Sequence, residues 1–85
     1  MEQKLRRDCN MGENLKKLRK KNQLSQEKLC AKLQLNSCYI SRSTYQKYES
    51  GILNIPIQVL IQLKKIYKCT YDDFFANLDP NENTS

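Results

Sequence analysis

Apolar residues recur along this chain at helical rather than strand spacing. From Met11 they fall at Met11, Leu15 and Leu18, one face of a helix, with Lys16, Lys17, Lys20 and Lys21 on the rest of its circumference. The late lysines suit the negative C-terminal end, and Asn22-Gln23 closes the run. Ser25 precedes a second run, Gln26–Gln34, whose inward face is Leu29, Cys30 and Leu33. A serine hydroxyl placed there accepts an orphan backbone N–H, and Leu24 is positioned to staple against Leu29. Residues 35–40 read as a loop with Leu35, Tyr39 and Ile40 as candidate anchors. Ser41 is a second N-cap, for a helix from Arg42 to Ser50 that stops at Gly51, the residue that takes a left-handed conformation most cheaply. Pro56 suits the first turn of a fourth helix over residues 56–68. Ile57, Val59, Leu60, Ile61, Leu63, Ile66 and Tyr67 cover more than half of its circumference, which predicts a central helix buried on two sides. Thr70 caps a last helix, Tyr71–Leu78, with Asp72 and Asp73 near its positive end and Phe74, Phe75 and Leu78 facing inward. No period-two alternation and no repeat intervenes. The pattern predicts an all-α, compact five-helix domain over residues 11–78, between a flexible polar arm (1–10) and a disordered polar tail (79–85).

The third predicted helix divides most sharply. Tyr45, Tyr48 and then Ile52 share one side, while Arg42, Ser43, Gln46, Lys47 and Ser50 share the other. The second side offers a guanidinium, an amide, an ammonium and hydroxyls along about 12 Å of helix. Arginine can bridge guanine O6/N7 and glutamine adenine N6/N7, and short serines allow close approach. Such a face is suited to base edges in a DNA major groove.

Charge strengthens that reading. The chain has 85 residues and a net charge of +6. Residues 1–70 carry all 15 basic residues against five acidic ones, a net of +10, and residues 71–85 carry four acidic residues and no basic one. A basic body of this kind fits a polyanionic partner. Other chemistries are poorly served. Without histidine no Ser–His or Cys–His pair can be built, and the only paired carboxylates, Asp72 and Asp73, are adjacent and belong to a helix start. Neither enzyme activity nor a cofactor is expected. Cys9, Cys30, Cys38 and Cys69 form no CxxC pair, so no metal site is expected. Cys30 and Cys69 read as small core residues, Cys9 and Cys38 as free and exposed thiols. No apolar run is long enough to span a membrane and the N-terminus lacks a signal-peptide core, so a cytoplasmic protein is expected.

The succession LKKLRKKNQLSQEKLCAKL, then ISRSTYQKYESG, then an apolar helix and TYDDFF resembles the Cro/Xre-type helix-turn-helix family of phage repressors and bacterial regulators, over about residues 11–76. The resemblance implies a lambda-repressor-like fold. It implies base contacts from Arg42, Ser43, Gln46 and Lys47, and a phosphate contact from Gln26 at the start of the second helix. It also implies phosphate contacts in the loop after the recognition helix, where Ser50, Gly51 and Asn54 lie, and a structural ion pair between Arg19 and Glu49. Cys30 fills a small-residue slot where two helices cross. The departure is the connection Gln34–Ser41, eight residues without glycine, where the family's usual turn has about three. It leaves the recognition-helix angle open and adds Asn36 and Tyr39 as candidate DNA contacts, or is a tolerated insertion.

The expectation is a sequence-specific DNA-binding transcriptional regulator, nucleoid-associated in a bacterium or encoded by a phage. It would bind double-stranded DNA as a homodimer, as a repressor on a pseudo-palindromic operator. Ile52, Ile55, Ile61, Phe75 and Leu78 are candidates for the dimer contact. The alternative is a protein-interaction module on the same fold, an antitoxin or antirepressor acting through a separate partner chain.

Overall fold

Three of the helix starts are fixed by hydroxyl caps. In the computed structural model, which describes residues 11–78, the helices are α1 (Gly12–Lys21), α2 (Gln26–Leu35), α3 (Arg42–Ser50), α4 (Ile57–Tyr67) and α5 (Tyr71–Phe74). Ser25 Oγ accepts from the Lys28 N–H at 3.1 Å, and Ser41 Oγ accepts from the Thr44 N–H at 3.1 Å. Thr70 and Asp73 form a reciprocal capping box, with the Thr70 N–H donating to the Asp73 carboxylate at 2.9 Å. Pro56 lies one residue outside α4, as its N-cap. The expected arm 1–10 and tail 79–85 lie outside the described residues.

The helix ends share one device. At four of them a left-handed residue turns the chain and the next N–H reaches back five residues. Leu24 donates to Arg19 O at 3.1 Å, Cys38 to Leu33 O at 2.9 Å, Ile52 to Lys47 O at 2.9 Å and Cys69 to Lys64 O at 3.3 Å. The left-handed residues are Gln23 (φ 59°), Ser37 (φ 63°), Gly51 (φ 82°) and Lys68 (φ 55°). This is the Schellman closure, which satisfies otherwise orphaned carbonyls. Only Gly51 adopts it without a Cβ penalty. Ser37→Gly, Gln23→Gly and Lys68→Gly should therefore each stabilise the domain by about 0.5–1 kcal/mol, after allowing for glycine's larger unfolded-state entropy. Thermal unfolding should show a rise of about 2–8 °C per substitution.

The core is Leu15, Leu29, Leu33, Tyr45, Tyr48, Val59, Leu60, Leu63, Tyr67 and Phe74. α3 packs against both α1 and α2, α2 also against α4, and α1 also against α5. The Tyr45 and Tyr67 hydroxyls meet at 2.7 Å, so neither phenol is buried without a partner. Asn14 is buried on α1 and its amide donates to Phe74 O at 2.8 Å and Ala76 O at 2.9 Å, clamping the end of α5.

Several expectations need correction. The last helix ends at Phe74 rather than Leu78, because Asn77 takes a left-handed conformation (φ 64°) and residues 75–77 are a turn. Phe75 is consequently exposed and Leu78 only half-buried. α4 is buried along one face, with Ile57 69% exposed and Ile61 also exposed, because no described element covers its outer side. Leu35 and Tyr39 do not anchor the turn, being 85% and 74% exposed, whereas Ile40 packs on the core. Cys38 also packs there, contrary to its expected exposure, because the Schellman closure folds it back over α2. Cys30 and Cys69 sit half-buried at the core's rim. Ile52 leaves the side of Tyr45 and Tyr48 and is 71% exposed, since the helical period stops at Gly51.

Candidate nucleic-acid interface

Glu49 is the hub on which α1, α2 and α3 are oriented. Arg19 on α1 donates to it twice, Nε to Oε2 at 2.7 Å and Nη2 to Oε1 at 3.1 Å, and its Nη1 donates to Leu24 O at 2.8 Å. Gln26, the first residue of α2, donates Nε2 to Glu49 Oε1 at 3.1 Å. The ion-pair side chains are only 10% and 6% exposed. Burial by itself would push the Glu49 carboxyl up. The hydrogen bonds from Arg19, Tyr45 and Gln26 outweigh it and hold the group below the ordinary glutamate value. The same pairing raises the Arg19 guanidinium further, against the opposing effect of burial. Burial, reinforced by the neighbouring Tyr67 and Glu49, drives the Tyr45 phenol far up, so it stays neutral beneath this hub.

Above the ion pair lies a shallow polar depression. Gln26 of α2, Arg42, Gln46 and Ser50 of α3, and Glu13, Lys16 and Lys20 of α1 line it. Arg42, Gln46, Lys16 and Lys20 are exposed and make no side-chain hydrogen bond among the described residues, so their side-chain donors are available. Ser43 and Lys47 are exposed on α3 and Asn54 on the following loop, but none of them lines the depression.

Two details refine the phosphate expectation. Gln26 is half-buried with its amide shared with Glu49, which fixes the side chain beside the N-terminus of α2 and leaves one amide hydrogen for another acceptor. The Gly51 N–H bonds Tyr48 O and the Ser50 hydroxyl donates to Lys47 O at 3.3 Å, so these donors close the end of α3. Lys16, Lys20 and Glu13 escaped the sequence reading as site residues. Their only signal in the sequence is a spacing of three and four on α1, which places them on one helix face but does not distinguish a site from any solvated face.

Asn36 and Tyr39 of the long turn line a separate groove against Gln58 and Gln62 of α4, not the depression on α3. Among the described residues no group of three or more Cys, Asp or Glu side chains could hold a metal ion, and no helix is long and apolar enough to cross a membrane.

A helix-turn-helix family model matches residues 15–74, from fully buried Leu15 to fully buried Phe74. No curated protein and no solved structure matches the chain. The all-helical order, the presented face of α3 and a match spanning most of the chain place it among DNA-binding regulatory domains, and the chain belongs to the Cro/Xre-type helix-turn-helix family.

Proposed function

We propose that the protein is a sequence-specific transcriptional regulator that represses by binding a pseudo-palindromic operator as a homodimer. Arg42, Ser43, Gln46 and Lys47 meet base edges, while Gln26 and Asn54, together with Lys16 and Lys20, meet phosphates, and Ser50 joins them by turning its hydroxyl from Lys47 O to the phosphate. The observation that carries this reading is the braced juxtaposition of Gln26 with Arg42 and Gln46 over the Arg19–Glu49 pair. It sets a helix N-terminus suited to one phosphate beside a helix whose outward side chains reach bases. The dimer contact is the exposed Ile52, Ile57 and Ile61, with Leu53. Ile55 and Leu78 are half-buried and contribute less, and Phe75 is exposed on a different element.

Selection of bound duplexes from a random pool tests the reading. It should return a motif with two half-sites about 34 Å apart. Arg42→Ala or Gln46→Ala should relax preference at one position by about 1–3 kcal/mol, and Gln26→Ala should weaken all sequences alike. Selection without enrichment, or both α3 variants binding like the parent, would show the assignment to be wrong. The protein-interaction alternative is favoured by the outward-facing Leu35 and Tyr39. It would be supported by a stoichiometric complex with a partner chain alongside DNA binding that ignores sequence.

A further inference from the structure

We propose that the groove between the C-terminal ends of α2 and α4 docks an acidic segment of a separate protein, with carboxylates on either side of one apolar anchor. The docking stands on the structure alone, and its compatibility with bound DNA rests on the function proposed above.

α2 packs against α4, and the ends of the two helices enclose a groove of about 280 Å³. Lys32, Leu35 and Asn36 line it from one side, Lys65, Ile66 and Lys68 from the other. Three ammonium groups thus border it without a carboxylate. No acidic side chain lines the groove, and none of these lysines forms an ion pair among the described residues. A lysine in a last turn has an ordinary use against the helix dipole. Leu35 has no such use. It is 85% exposed, more than any other large apolar side chain among the described residues. Ile66, also lining the groove, is half-buried and packed on the core. Asn36 adds a polar hold. Its Nδ2 donates to Lys32 O at 3.3 Å, while its Oδ1 accepts nothing among the described residues and is left for a backbone N–H.

The chemistry of the lining selects the occupant. Charge complementarity calls for an anion, and Leu35 with Ile66 calls for an apolar group on the same ligand. A duplex offers phosphates but no apolar side chain to cover Leu35. A single strand would stack its bases on aromatic rings, and none lines the groove. The volume falls below the roughly 300–1,000 Å³ of a small-molecule pocket and suits one side chain with its flanking backbone. An acidic peptide segment supplies carboxylates for the lysines, an apolar side chain for Leu35 and a backbone N–H for Asn36. The groove shares no residue with the depression over the Arg19–Glu49 pair, so the partner is held while α3 is engaged with DNA.

The probe is a short synthetic peptide of Asp and Glu around one central Leu, titrated into the isotopically labelled full chain. Amide resonance shifts should centre on residues 32–36 and 65–68 and leave Gln26 and Arg42 unmoved. Lys32→Gln combined with Lys65→Gln should weaken binding about fivefold or more. Leu35→Ser should weaken it about threefold or more, with unchanged helical circular dichroism, and so should replacing the peptide's Leu by Ser. A duplex selected from a random pool should bind Leu35→Ser within about twofold of the parent and should not displace the peptide. Absence of saturable binding, shifts centred on α1 and α3, variants that bind like the parent, a Ser peptide that binds as tightly, or a duplex that competes for the groove overturns the proposal. If no duplex is selected, the regulator reading fails while the peptide titration still decides the docking site.

Discussion

Arg19→Met should destabilise the domain by about 3–5 kcal/mol, because it leaves Glu49 buried without its counter-charge. The arginine donates to Glu49 through two nitrogens and to Leu24 O through a third, so the substitution also strips a carbonyl at the α1–α2 junction. Glu49→Leu alone should cost a similar amount by stranding the guanidinium. The double variant should recover much of the loss, since two apolar side chains need no desolvation. Urea unfolding of the four proteins measures this, and near-additive losses would mean the pair is not energetically coupled. The pH dependence has a definite sign. Glu49 titrates lower in the folded chain than its ordinary value of 4.5, so its pairing stabilises fully above that value and fades as pH falls through the lower folded one. The parent should accordingly lose more stability below about pH 4.5 than Glu49→Gln does. On the alkaline side, burial raises both the Tyr45 and Tyr67 phenols, so their contribution holds below the ordinary tyrosine range and is lost as pH climbs beyond it.

Phe74→Ala should cost about 3–5 kcal/mol, a large loss for a domain this small. Phe74 is fully buried although it ends a helix of only four residues, a length that cannot sustain itself by backbone hydrogen bonding. Its ring and the Asn14 clamp on Phe74 O and Ala76 O are what hold α5 against α1. Native-state hydrogen exchange should show α5 amides losing protection before those of α2 and α3. Asn14→Ala should reproduce the order of loss at a smaller cost, about 1–3 kcal/mol. Loss of protection in α2 and α3 ahead of α5 would contradict this account.

The two predictions draw on features that were unequally visible in the sequence. Ser25, Ser41 and Thr70 announced themselves, since a hydroxyl before a periodic run has a local use that needs no tertiary knowledge. The starts of α2, α3 and α5 follow from them. Gly51 was legible as a stop for the same reason. Gln23, Ser37 and Lys68 do the same task without the side chain that advertises it, so the closure of the long turn, and with it the inward position of Cys38, went unseen. Asn14 was hidden differently: its acceptors lie 60 and 62 residues away, beyond any periodicity argument. On α4 the apolar count overstated burial, because counting cannot say whether a second surface exists to cover Ile57 and Ile61. The face of α3 was visible because it combines helical spacing with residues too polar to be core. The α1 side chains sharing its depression were not, since only folding brings Lys16 and Lys20 beside Arg42.

The hub around Glu49 has a further consequence. Arg42, Gln46 and Lys47 take no part in holding it, and Ser43 reaches only Ser41, at 3.3 Å. The scaffold is thus indifferent to what these four positions carry, provided the helix itself persists. New specificities can be grafted there by exchanging surface side chains alone, and a lineage could drift from one target to another without passing through an unfolded ancestor.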